Sequence, residues 1–141
     1  MPDLHAGIAV LGPLLGTWTG RGTGEYPTIE PFDYLEEVTF AHTGKPFLTY
    51  TQRTRSSDGQ PMHAETGYLR VPSPGRIEFV IAHPTGVTEI DEGTLSANGD
   101  SLDIEAESTS VGLTGSAKEV TALSRSIRIR GPELSYTLLM G

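Results

Sequence analysis

Four histidines, His5, His42, His63 and His83, carry the side chains best suited to bind a metal or move a proton near neutral pH. None forms a decisive motif with another. His63 follows Met62, and His83 closes the run RIEFVIAH, so these two are the pocket candidates; His42, before a turn, and His5, in the leading segment, read as surface or hydrogen-bonding residues. Glu36-Glu37 lies in a strand-like run, where neighbouring side chains point to opposite faces and cannot cooperate. Asp91-Glu92 and the Asp103/Glu105 pair come with no EF-hand spacing, paired-histidine motif or phosphate loop, and metal catalysis is not expected from them. Gly20-Arg21-Gly22-Thr23-Gly24 has the composition of a nucleotide loop but runs into Tyr26-Pro27 instead of a helix N-terminus.

The elements that must position these residues are bounded by length and charge. A chain of 141 residues fits one domain spanning 1–141, large enough to bury a core without staples. It has no cysteine, which excludes disulfides, thiolate chemistry and zinc–cysteine sites and points to the cytoplasm. The leading MPDLHAGIAVLGPLLG lacks a basic start, and no apolar run reaches the roughly 18 residues of a membrane span. A net charge of -8 sets the chain against phosphate backbones and anionic lipids, so neither nucleic acid nor membrane is an expected partner. In RSIRIRG, Arg125, Arg128 and Arg130 alternate with Ile127 and Ile129, which reads as a solvated strand face.

Leu4 to Leu11 reads as a short helix with Asp3 as N-cap, stopped by Gly12-Pro13. After it come ten β-compatible runs: LGTWTGRGTGEY, FDYLEEVTFAH, FLTYTQRT, MHAETGYLRV, RIEFVIAH, GVTEIDEGTL, SLDIEAES, AKEVTAL, RSIRIR and ELSYTLLM. Turn chemistry such as Ser57-Asp58-Gly59, Pro84-Thr85-Gly86 and Asn98-Gly99 separates them. Ten short strands without a crossover helix predict an all-β, antiparallel up-and-down barrel with a short N-terminal helix, a sandwich being the alternative.

The wall of that barrel has one unusual stretch. In Gly16-Thr17-Trp18-Thr19-Gly20-Arg21-Gly22, alternation gathers Gly16, Trp18, Gly20 and Gly22 on one face and Thr17, Thr19 and Arg21 on the other. A face bare except for one indole suits close approach by a neighbouring strand or a ligand.

This GxWxGxG run, followed by YPTIEPFDYLEEVTFAHTGKPFLTYTQRTR, ETGYLRV and IAHPTGVTEIDEGT, resembles the nitrobindin family over nearly the whole chain. The resemblance implies a ten-stranded barrel similar to lipocalins and fatty-acid-binding proteins. It further implies haem b near the barrel mouth, nitric oxide binding and isomerisation of peroxynitrite to nitrate. It places Met62, His63, His83 and Met140 at haem-pocket positions and Lys118 at a propionate contact. The family's axial histidine lies beyond the last strand in a segment resembling PLQxHL, whereas the present sequence ends at Gly141. The expectation is therefore a barrel with a pocket for haem or another small apolar ligand, without the axial histidine and leaning away from the family's enzymatic activity. A functional ferric haem protein and a carrier of lipids or hydrophobic metabolites are the alternatives.

Overall fold

The computed structural model describes residues 2–26 and 29–141, with side chains defined outside 21–33 and 140. Nine strands form one antiparallel sheet in chain order: β1 (Gly16–Tyr26), β2 (Ile29–His42), β3 (Leu48–Ser56), β4 (Pro61–Arg70), β5 (Arg76–His83), β6 (Val87–Asn98), β7 (Ser101–Leu113), β8 (Leu123–Arg130) and β9 (Glu133–Met140). Each strand pairs with the next, so the sheet is an up-and-down, nearly closed barrel. Nine strands stand where ten were expected because most of AKEVTAL is not a strand. Its residues belong to the β7–β8 connection, where Ala117 N–H bonds the Thr114 carbonyl, and only Leu123 starts β8.

The predicted N-terminal helix is present in a different form. It is a 3₁₀ helix over Ala6–Leu14 that runs through Gly12 and Pro13, with His5, not Asp3, capping it through Nδ1 on Gly7 N–H. Three residues per turn stack Ile8, Leu11 and Leu14 on one side, and all three are buried. They plug one end of the barrel together with Leu48, Leu69, Ile77, Leu102, Ile104 and Ile129. Each such side chain, fully buried, contributes about 1.5–3 kcal/mol. Trp18 ties the plug to β1: its indole Nε1–H donates to the Leu14 carbonyl at 2.8 Å while the ring packs on this core.

Alternation sets what lines the interior. Ile77, Phe79 and Ile81 point inward with His83, and Leu102, Ile104 and Ala106 are buried while Glu105 faces water. Gly67 permits a close approach of neighbouring strands. It pairs with Tyr50 on one side and Ile81 on the other, and a Cβ there would lie 1.9 Å from the Val80 carbonyl oxygen. Two register shifts bend the wall beside the polar interior: in β4, Met62 and His63 face the single Thr54 of β3, and in β7, Thr109 falls between the partners of Ile90 and Asp91.

Candidate functional site

Above the apolar plug the interior turns polar. Inward positions of five strands bring together Tyr50 of β3, His63 and Glu65 of β4, His83 of β5, Glu89 and Asp91 of β6, and Arg125 of β8. Charged side chains are almost never fully buried without partners, and these are paired. Arg125 donates from Nη1 to Glu65 Oε1 at 2.6 Å and from Nη2 to Glu89 Oε1, with Asp91 Oδ2 3.5 Å from its Nε. Tyr50 O–H adds a bond to Glu65 Oε1 at 2.5 Å.

The two pocket histidines meet here. His83 Nδ1 lies 3.3 Å from His63 Nε2 and 3.5 Å from Glu65 Oε2, while its other nitrogen, Nε2, is 2.7 Å from Glu89 Oε1. His63 Nε2 is 3.3 Å from Glu65 Oε2. The backbone of His63, in a bulge of β4 where Met62 and His63 face Thr54, is held by Thr54, whose hydroxyl accepts from His63 N–H at 2.9 Å. The His83 and Glu65 side chains are sealed, whereas that of His63 is 32% exposed, so the cluster reaches solvent on the His63 side.

Burial and charge divide the carboxylates. Burial works against ionisation of Glu65, but hydrogen bonds from His63, the Arg125 charge and Tyr50 hold it down at about 2. Burial opposes ionisation of Glu89 too, and His83 and Arg125 bring it to about 2. Asp91 goes the other way: burial and the neighbouring Glu89 push it up to about 8 despite Arg125. Neither Asp91 oxygen has a hydrogen-bond partner among the described residues, so only the Arg125 guanidinium, with Nε 3.5 Å from Oδ2, offsets its burial. Burial lowers the Arg125 pKa, but Glu65 and Glu89 outweigh it and raise the net value. Glu65 and Glu89 thus both stay ionised beside the Arg125 guanidinium.

A second polar link crosses the gap between the first and last strands, where no ladder joins β9 to β1 among the described residues. Tyr136 of β9 donates to Glu36 of β2 and accepts from Gln52 Nε2 of β3 at 2.5 Å. Gly20 lies opposite Glu36 in register, Glu36 opposite Thr54, and Thr54 holds His63. A Cβ at Gly20 would meet nothing within 4 Å. The bare wall and the exposed imidazole therefore share one tier, near the mouth opposite the helical plug.

The other expected site residues scatter. Met62 is exposed at the start of β4, and Lys118 is exposed in the β7–β8 connection. Met140 pairs with Leu123 through its backbone, but its side chain, like those of Arg21 and Thr23, lies outside the described ones. Thr17 and Thr19 face outward as expected. The solvated-face reading of RSIRIRG holds for Arg128 and Arg130 and fails for Arg125, which is 6% exposed. Arg125 shares the parity of Ile127 and Ile129, so alternation itself placed it inside. Glu65 and Glu89 went unnoticed for the same reason, although each sits two residues from an inward position.

Below the polar tier the interior is nearly full. Val38, Phe40, Tyr50, Leu69, Phe79 and Ile81 help to line a cavity of about 20 Å³, room for roughly one water. That cavity is too small for an acyl chain, and a larger groove of about 410 Å³ runs along Arg76, Thr94, Ser124 and Leu139.

Comparison with known proteins places this barrel among others. A family model described as the THAP4-like, heme-binding beta-barrel domain matches residues 7–141. The chain is 64% identical over 140 residues to peroxynitrite isomerase 1 of Mycolicibacterium paratuberculosis, covering 99% of this chain and 87% of the relative. It is equally similar, at 64% over 140 residues with the same coverage, to peroxynitrite isomerase 2 of Mycobacterium marinum. Among solved structures, the crystal structure of Rv2717c from M. tuberculosis superposes with a TM-score of 0.94 at 60% identity, over 99% of this chain and 89% of that one.

Proposed function

Since the chain belongs to the THAP4-like, heme-binding β-barrel family, the nitrobindins, we propose that it binds haem at the barrel mouth and isomerises peroxynitrite, the reaction named in its 64% identical relatives. The observation that carries this reading is the shared tier of Gly20 and His63: a wall with nothing within 4 Å of an added Cβ, and a partly exposed imidazole. The mouth is the place assigned to haem because the cavity beneath it, about 20 Å³, is too small for the ring. Haem, when bound, supplies a Lewis-acidic ferric centre.

The chain's own residues do the rest. Gly20 clears the wall for a flat ring, and Met62, exposed at the start of β4, offers a soft apolar contact. His63 presents an imidazole able to hydrogen-bond an anion at the mouth, and Thr54 and Glu65 fix its position. Arg125 does not serve as an anion receptor, because Glu65 and Glu89 already occupy it. His83 has both ring nitrogens engaged, which sets it behind His63. β9 ends beside the start of β8, where Met140 pairs with Leu123 and Gly141 N–H bonds the Ala122 carbonyl at 2.8 Å.

Titration of ferric haem into the protein, followed at the Soret band, tests the reading. Saturation at one equivalent, weakened by Gly20→Val, supports it. A spectrum indistinguishable from free haem contradicts it.

A further inference from the structure

Three donor atoms in the polar interior form a nearly equilateral triangle: His63 Nε2 to Glu65 Oε2 at 3.3 Å, His63 Nε2 to His83 Nδ1 at 3.3 Å, and His83 Nδ1 to Glu65 Oε2 at 3.5 Å. Zinc bonds to imidazole and carboxylate run about 2.0–2.2 Å, so the edges of a tetrahedron around such an ion measure roughly 3.3–3.5 Å. An octahedral ion with similar bonds would draw adjacent donors to about 3 Å, closer than these. We propose that His63, Glu65 and His83 bind one divalent ion of the zinc class, tetrahedrally, with the fourth position turned toward the mouth.

The surroundings are those of a built site. Binding through Nδ1 requires His83 to carry its proton on Nε2, and that nitrogen is 2.7 Å from Glu89 Oε1, which fixes the tautomer. Glu65 offers Oε2 alone, because Oε1 already accepts from Arg125 Nη1 and Tyr50 O–H. His63 binds through Nε2, with Thr54 holding its backbone. The fourth position opens beside His63, whose side chain is 32% exposed while those of Glu65 and His83 are sealed. A water or small anion completes it, as in zinc sites with three protein ligands.

All three donors are protein atoms, so metal binding can be read in the protein without haem.

The test uses the full chain, freed of haem and treated with chelator, titrated with Co²⁺ as a spectroscopic probe and then with Zn²⁺ in competition. Expected are visible d–d bands of four-coordinate intensity saturating at one equivalent, and their loss as Zn²⁺ displaces Co²⁺. His63→Ala, at the exposed corner, abolishes the bands without unfolding the barrel, and Glu89→Gln weakens binding about 10–100-fold by releasing His83. Absent bands in the unaltered protein overturn the proposal, as do bands that survive His63→Ala. Because the readout needs no haem, failure here leaves the Soret titration unaffected, and the reverse is equally true.

Discussion

Arg125 Nη1 lies 2.6 Å from Glu65 Oε1 across 60 positions of sequence, joining β8 to β4 through the middle of the barrel. No strand ladder connects those two strands, so this contact braces the barrel across its interior. Arg125→Met leaves Glu65 and Glu89 buried without their cation, and breaking such a pair costs about 3–5 kcal/mol. Urea unfolding of the variant is expected to show that loss, with Arg125→Lys losing less. A change under about 1 kcal/mol for Arg125→Met would mean that the network is dispensable, against the range for buried pairs.

Asp91 gives the protein a pH dependence of opposite sign to its neighbours. Its carboxyl rises from 3.8 in the unfolded chain to about 8, so the folded state holds the proton more tightly. That contribution is fully present below the unfolded value and disappears as pH rises through about 8. Between roughly pH 5 and 8 the metal-free protein should lose up to about 1.4 kcal/mol per pH unit relative to Asp91→Asn. Parallel stability curves for the two proteins would show that Asp91 ionises normally.

Gly67 is held by sterics and not by a turn. A Cβ there would lie 1.9 Å from the Val80 carbonyl oxygen, and backbone has to move to admit it. Gly67→Ala is expected to destabilise by about 1–3 kcal/mol or more, as overpacking does. Gly20→Ala, with open space around it, should cost far less. Thermal melts of the two variants give the comparison, and equal melting temperatures would contradict the assigned geometry.

The two sides of β1 give a matching pair of substitutions. Gly20→Val fills the bare face and should weaken haem binding at the mouth, whereas Thr19→Val changes an exposed side chain and should leave it unchanged. Comparable haem affinities for both variants would remove Gly20 from the binding wall.

Much of the barrel was legible in sequence because strand alternation is local. Ile77, Phe79 and Ile81 declared an inner face, and GTWTGRG declared a bare one. AKEVTAL has residues that suit a strand, but turn hydrogen bonds at Thr114–Ala117 and the pairing of Thr121 with Gly141 hold it in a connection. Arg125 illustrates a different failure: its parity pointed inward and its charge argued outward, and charge was given the greater weight. The meeting of His63 and His83 was not readable at all. It depends on β4–β5 register and on a bulge in β4 that contains His63, and both are properties of paired strands.

The central claim is tested most directly by stopped-flow decay of peroxynitrite in the presence of the haem-loaded protein, with nitrate measured as product. The account predicts faster decay than with haem-free protein, in proportion to the haem bound, with nitrate as the dominant product and a reduced rate in His63→Ala. Decay equal to that with the haem-free chain, at full haem occupancy, would contradict it.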